Sequence, residues 1–412
     1  MSIGYLLYKL STRSYFKFIQ LIAPFHERAG KLYYGQKTPI QIAAKEKNEK
    51  RLWIHVASLG EFEQAKPVLL ELKKCLPNLN IIVSFFSPSG YENRKNETII
   101  DYAIYLPFES KKQAKLVLDH INPDIVIWVK YDFWVDYLSE IFLRKIPVYL
   151  IAALFRSQQH YFKFPGNFHL TLFEQFTQIF TQNNSSSALL AKNNIKSICT
   201  GDPRFDNVYQ LKSAHKHIPL LNSFWNQIPV IVCGSTYAVE ENIIQKFQQT
   251  TSEHFKYIIA PHFVDKQHIK ELKRIFPDAI VYSSIDNNQD LSGIQTVIID
   301  NIGILPHLYH KASIAIIGGG FKKGGLHNIL EASIHGIPVL IGPKINRFPE
   351  ALELIANNSA FIFKDANSLL SHIEKIYPSN LGSIKEKTVK YMDNHLGTCK
   401  MIADSILYDL KQ

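Results

Sequence analysis

From Arg51 onward the chain repeats one pattern: a short apolar run, a turn, an amphipathic stretch, and another short apolar run. The runs Leu52–Ala57, Ile81–Phe86, Tyr102–Leu106, Ile125–Val129, Val148–Ala153 and Gln178–Thr181 are rich in β-branched and aromatic residues. They are too short to be buried helices and are predicted as strands. Stretches such as Phe62–Lys74 and Lys111–Leu118 lie between them with helical periodicity. Strands that alternate with helices build a parallel sheet covered on both faces. The alternation pauses near Pro203 and resumes with Val230–Cys233, Tyr257–Ala260, Ala279–Tyr282, Thr296–Ile299, Ile314–Ile317, Val339–Ile341 and Phe361–Phe363.

The pause, 207–227, mixes polar residues with Lys, His and Pro and is predicted as a linker. The organisation expected is therefore a helix over 1–25, two α/β domains over 26–206 and 228–385, and a helical tail over 386–412. The 412 residues suffice for two such cores. Two similar halves imply a cleft between them, and ligands of open α/β sheets bind beyond the carboxyl ends of the strands.

The net charge of +10 favours a partner that carries phosphate or an anionic surface. Nucleic acid is not expected, because no RNP-like, zinc-finger or basic-zipper pattern occurs. Cys75, Cys199, Cys233 and Cys399 are far apart and read as reduced thiols, with no zinc site. No apolar run reaches the roughly 18 residues of a membrane span. The first 25 residues nevertheless set Ile3, Tyr5, Leu6, Leu7, Tyr8 and Leu10, then Tyr15, Phe16, Phe18, Ile19, Leu21 and Ile22, against Lys9, Arg13 and Lys17, which recur four apart. That is the pattern of a helix lying in a membrane interface, and also of a helix docked on the protein itself.

Two strand-to-helix turns carry the chemistry. In the second half, Ser313–Ile317 leads into Gly318-Gly319-Gly320 and then Gly324-Gly325-Leu326-His327-Asn328-Ile329-Leu330-Glu331. Glycines let backbone approach a ligand, and a helix start aims free N–H groups at an anion. Asn328 and Glu331, three apart, share a helix face there and suit a ribose. Ser235 and Thr236 follow one strand and His262 another, as further donors at the same edge. In the first half, Ser58-Leu59-Gly60-Glu61 opens a helix after Trp53–Ala57. Glu61 there is either the far member of a capping box with Ser58 or a general base facing the cleft. Lys130 and Asp132 follow Ile125–Val129 and either pair with each other or face the cleft; Arg204 meets a phosphate or pairs with Asp206.

Together these pieces resemble the 3-deoxy-D-manno-octulosonic acid (Kdo) transferases. The resemblance rests on Trp53-Ile54-His55-Val56-Ala57-Ser58-Leu59-Gly60-Glu61, Tyr105-Leu106-Pro107-Phe108, Gly201-Asp202-Pro203-Arg204-Phe205-Asp206, Gly234-Ser235-Thr236 with Glu240-Glu241, and Gly324–Glu331. It implies a GT-B fold, two Rossmann-like domains facing across a cleft, with an N-terminal membrane-associating helix. It implies an inverting transfer of Kdo from CMP-Kdo to a lipid A precursor (lipid IVA) in lipopolysaccharide synthesis. No metal or cofactor is expected. Glu61 matches the family's catalytic base, and the basic, aromatic first helix matches an anchor to the cytoplasmic face of the bacterial inner membrane. Lys130-Tyr131-Asp132 stands where the family has Glu-Thr-Glu, Tyr237 where it has His, and Pro261-His262-Phe263 where it has Pro-Arg-His; Leu326 is an extra residue. A nucleotide-sugar epimerase of the same fold and a non-catalytic, membrane-bound nucleotide sensor are the other readings.

Overall fold

The structure, a computed structural model, describes residues 3–213, 216–250, 255–323 and 325–411. It divides into two compact units, 1–206 with 397–412, and 207–396. Each is a parallel sheet with helical connections. The first contains β1 (Arg51–Val56), β2 (Asn80–Phe85), β3 (Tyr102–Tyr105), β4 (Ile125–Val129), β5 (Val148–Ala153), β6 (Gln178–Thr181) and β7 (Ile198–Cys199), in the order β3-β2-β1-β4-β5-β6-β7. The second contains β8 (Val230–Thr236), β9 (Lys256–Pro261), β10 (Ile280–Val281), β11 (Thr296–Ile298), β12 (Ile314–Ile317), β13 (Val339–Ile341) and β14 (Ala360–Ile362), in the order β10-β11-β9-β8-β12-β13-β14.

Both orders reverse beside their first strand, between β1 and β4 in the first sheet and between β8 and β12 in the second, where β11 also lies inside the edge strand β10. Connections leave such a pair toward opposite faces, so a crevice opens beyond their carboxyl ends. The turns singled out from sequence follow β1, β4, β8 and β12. Topology thus puts these turns at the switch points of their own sheets, while His262 follows β9 and Arg204 follows the edge strand β7.

Residue alternation along β1 shows how the first sheet is buried. Leu52, Ile54 and Val56 face one layer, against Phe62, Ala65, Val68 and Leu69 of the helix Leu59–Cys75. Trp53 faces the other layer, against Trp128 and Tyr137. His55 is next along that second face and lies against the Trp128 ring, centroids 4.5 Å apart. It is a fully buried polar side chain in a strand that is otherwise apolar after Arg51.

The N-terminal helix, Ile3–Ile22, has two different faces. Its inner face is tied to the first unit by polar contacts. Tyr5 Oη donates to Asp136 Oδ1 at 2.9 Å, Tyr8 Oη donates to Glu109 Oε2 at 2.8 Å, and Lys9 forms an ion pair with Asp136. Glu109 Oε1 in turn accepts from the Asp136 amide at 2.6 Å, and burial pushes the Glu109 carboxyl up to about 7. Phe16 stacks on Phe108 at 3.7 Å. The outer face leaves Ile3, Leu6, Leu7, Leu10, Phe18 and Leu21 exposed, with exposed Arg13 and Lys17 beside them. The basic stripe expected over Lys9, Arg13 and Lys17 is therefore shortened: Lys9 turns inward because Asp136 is otherwise an uncompensated buried charge.

Three expectations about boundaries change. The segment taken as linker begins with the helix Arg204–Ser213 and contains a 3₁₀ segment, Pro219–Phe224, whose Leu221 and Phe224 are buried. The tail is two helices, Leu381–Asp393 and Thr398–Lys411, separated at Gly397, which takes a left-handed φ of +95°. The last helix is no appendage: Cys399, Ile402, Ile406 and Leu410 join the core of the first unit beside β1. The two-residue strand β7 was not expected. No described helix is long and apolar enough to cross a membrane.

Candidate active site

In the first unit the helix Leu59–Cys75 starts directly beyond β1 and carries Glu61 in its first turn. Ser58 occupies the N-cap position, but its side chain makes no capping hydrogen bond. Glu61 Oε2 instead accepts from the Ala57 amide at 2.5 Å. The Ser58 half of a capping box is therefore absent, and the Glu61 carboxylate reaches back to the amides of Ala57 and Ser58. Glu61 is only 6% exposed. Burial pushes its carboxyl up to about 7, and the nearby Asp132 charge pushes the same way against the amides of Ala57 and Ser58 and the Lys130 charge. A carboxyl with that proton affinity at a sheet switch point is suited to take a proton near neutral pH.

Asp132 lies beyond β4, the neighbour of β1. Its Oδ2 accepts from Trp134 Nε1 at 2.9 Å and lies 3.7 Å from His55 Nε2. Its backbone carbonyl accepts from Trp128 Nε1 at 2.6 Å. Lys130, with a left-handed φ of +63°, begins the same loop. Arg204 pairs with Asp202, Nη2 to Oδ2 at 2.7 Å, rather than with Asp206. Asp206 is used elsewhere, accepting from the amides of Gly397 and Cys399 at 2.7 Å each. Asp202 also meets Gln64 Nε2 at 3.2 Å, and the Arg204 guanidinium keeps the Asp202 carboxyl below its ordinary range despite burial. Ser58, Gly60, Glu61, Lys130 and Asp132 thus share the β1/β4 edge, and Arg204 is committed to an ion pair.

In the second unit the glycine turn is built by close backbone approach. A Cβ on Gly318 would sit 2.1 Å from the Ser235 carbonyl oxygen, so only glycine lets β12 pass the end of β8 there. Gly319 takes a left-handed φ of +84°, and its amide donates to Glu240 Oε1 at 2.7 Å. Glu240 thereby pins the turn after β12 to the helix after β8. Gly324 lies outside the described residues; Gly325 closes the turn through its amide to the Lys322 carbonyl at 3.3 Å.

The helix expected to carry both Asn328 and Glu331 is a single turn, Leu330–Ser333, with Asn328 just before it. Asn328 Oδ1 accepts from the Leu330 amide at 3.2 Å, and Asn328 Nδ2 donates to Glu331 Oε1 at 3.0 Å. The residues do share a face, but one turn sums little macrodipole, so an anion here relies on individual N–H groups. Thr236 is also corrected: it is fully buried, and its hydroxyl donates to Glu241 Oε1 at 3.1 Å instead of facing a ligand. Ser235, in a left-handed φ of +54°, stays partly exposed.

His327 and His262 meet around a residue the sequence reading left out of the site. Tyr237 stacks with His262 at 4.8 Å and with His327 at 5.7 Å, and its hydroxyl lies 3.1 Å from His327 Nε2. Lys322 Nζ sits over the Tyr237 ring, 3.8 Å from its centroid. Burial, helped by the His262 and Lys322 charges, holds the His327 imidazole down at about 4, so it is neutral at neutral pH. Two imidazoles, a phenol and an ammonium beside a glycine turn form a platform for a planar base and a negative group. Tyr237 was noticed only as a departure from the family pattern; its position just beyond β8 was the available signal.

The two parallel sheets with their switch points make the GT-B fold. The UDP-GlcNAc 2-epimerase of Neisseria meningitidis superposes with a TM-score of 0.59 at 19% identity, over 87% of this chain and all of that one. A family model described as 3-deoxy-D-manno-octulosonic-acid transferase matches residues 25–207. The 3-deoxy-D-manno-octulosonic acid transferase of Aquifex aeolicus is 29% identical, over 79% of this chain and 85% of the relative. That of Haemophilus influenzae is 26% identical, over 81% and 79% respectively. Over residues 25–207 the chain thus matches the Kdo transferase family model, and over about four fifths of its length it is similar to curated Kdo transferases.

Proposed function

We propose that this protein is an inverting glycosyltransferase that moves Kdo from CMP-Kdo to a lipid A precursor in lipopolysaccharide synthesis. The observation that carries the reading is Glu61: a buried carboxyl at the β1/β4 switch point, with its proton affinity raised to about 7, within the residues that match the Kdo transferase family model. In the proposed step Glu61 takes the proton of an acceptor hydroxyl as that oxygen attacks the anomeric carbon of the donor. The bond from that carbon to the phosphate oxygen breaks, its electron pair leaves with CMP, and the configuration inverts. Glu331 and Asn328 take the ribose. Ser235 and the amides around Gly325 take the phosphate, and the Tyr237–His262–His327 platform takes the base.

No metal is needed in this reading, since a single leaving phosphate can be met by N–H groups and Lys322. The exposed apolar stripe of the N-terminal helix, flanked by Arg13 and Lys17, supports peripheral attachment to an anionic bilayer, where an amphiphilic acceptor resides. The inner-membrane cytoplasmic face is the location this reading assigns. The test is incubation with CMP-Kdo and a tetraacylated lipid A precursor, followed by mass spectrometry of the lipid. A product heavier by Kdo supports transfer. An altered donor sugar with unmodified lipid would favour an epimerase, and CMP binding without turnover would favour a sensor.

A further inference from the structure

His55 is fully buried, and its Nε2 makes no hydrogen bond with the described residues. A buried polar atom of this kind costs stability unless a partner arrives or the site uses it. The contacts of its other nitrogen fix what Nε2 is. His55 Nδ1 lies 2.9 Å from Ser84 Oγ, and the same oxygen accepts from Trp53 Nε1 at 2.9 Å. The Ser84 hydroxyl hydrogen can go to His55 Nδ1 at 2.9 Å or to the Ile54 carbonyl at 3.5 Å, and the shorter contact is the better bond. Nδ1 then accepts, and the ring proton resides on Nε2.

That Nε2–H faces Asp132 Oδ2 at 3.7 Å. An approach of roughly 0.7 Å makes a hydrogen bond, a tightening common when a ligand fills a site. The rest of the loop is braced for it. Trp128 Nε1 holds the Asp132 carbonyl, and Trp134 Nε1 holds the same Oδ2 that His55 faces. We propose that His55 is a positioning residue whose Nε2–H fixes the Asp132 carboxylate beside Glu61, so that the two carboxylates act as a coupled pair. The proposal rests on Glu61 as the base and names the charge that adds to burial in raising its proton affinity.

The charged and titratable groups around the pair come from several elements. Glu61 senses Asp132, Lys130 and the amides of Ala57 and Ser58. Lys130 also acts on Asp202, which Arg204 neutralises. Asp132 is sensed in turn by the phenols of Tyr8, Tyr15 and Tyr161. Among these groups Asp132 is the one that raises Glu61 by charge, and its side chain is 31% exposed. Without the Nε2–H it can swing toward solvent, where its charge is screened.

The test is a titration of Glu61 in the full-length protein, labelled with ¹³C at the glutamate carboxyls and followed by NMR between about pH 4 and pH 9. The Glu61 signal is the one absent from Glu61→Gln. Asp132→Asn should lower its midpoint by ~1 unit. His55→Asn, which keeps an amide toward Ser84 but is too short to reach Asp132, should lower it in the same direction. His55→Gln, whose longer side chain returns an N–H toward Asp132, should restore the wild-type midpoint. His55→Phe is a second variant lacking the donor if His55→Asn does not fold. An unchanged midpoint in a folded donor-less variant, or the same loss in His55→Gln, overturns the proposal. Near-normal turnover of Glu61→Gln overturns the base assignment instead, and the NMR midpoints distinguish the two failures because they need no turnover.

Discussion

Replacing Glu61 by Gln should slow the enzyme and stabilise it, and the sign of the second effect separates two accounts of this residue. A carboxylate that merely caps a helix is stabilised by the helix start, so losing its charge weakens the fold. Glu61 is held the other way, with its carboxyl raised from 4.5 to about 7. A raised folded-state value means the folded chain binds the proton more tightly than the unfolded chain does. The stability this contributes is fully present below about pH 4.5 and is lost as pH rises through about 7. At about 1.4 kcal/mol per pH unit, ionised Glu61 costs the fold on the order of 3 kcal/mol at pH 8. The amide of Gln keeps an oxygen for the Ala57 N–H and removes the charge.

Calorimetry should therefore show Glu61→Gln melting higher than wild type at pH 8, by roughly 5–10 °C for a unit of this size, with the difference shrinking toward pH 4.5. Turnover should fall by roughly 10²–10⁴-fold, because the amide cannot take the acceptor's proton. CMP affinity should not change. A lower melting temperature at pH 8 together with near-normal turnover would refute this reasoning and restore the cap.

Glu331→Ala should weaken CMP binding, measured by calorimetry, while the fold persists, because Glu331 is partly exposed and its bond to Asn328 is a local one. Full-length protein should co-sediment with anionic vesicles at physiological salt, and Leu6→Ser with Leu10→Ser and Phe18→Ser should release it without loss of fold, since all three are exposed. Deleting the helix is a poorer test, because it strips Asp136 of Tyr5 and Lys9, and Glu109 of Tyr8. Transfer should survive chelation by EDTA; complete loss restored by a divalent ion would show that a metal takes part.

The strands could be read from sequence because parallel sheets bury both faces, leaving runs such as Ile125–Val129 without a polar residue. The edge strand Ile198–Cys199 lacked that signal because both residues are exposed. Glu61, Asn328 and Glu331 were accessible through turn position alone. What sequence could not reveal was pairing at a distance. Even at short range Arg204, expected to meet a phosphate or Asp206, pairs with Asp202. Lys9 looked like one member of a basic stripe until Asp136, 127 positions away, claimed it. His55 entered the sequence reading only as part of the run Trp53–Glu61, and its meaning depends on Ser84 of β2 and Asp132 in the loop beyond β4.

The helix Thr398–Lys411 gives the chain a particular order of birth. Its side chains Cys399, Ile402, Ile406 and Leu410 complete the hydrophobic layer beside β1. On a ribosome, β1 emerges long before them. About 190 residues, the whole of the second unit, must be made in between. At roughly 5–20 residues per second that is on the order of 10–40 s during which one layer of the first sheet lacks its cover. The nascent first unit must spend that interval with apolar surface open to solvent or to a chaperone. A stop codon anywhere after Leu396 would leave the second unit whole and the first one unfinished.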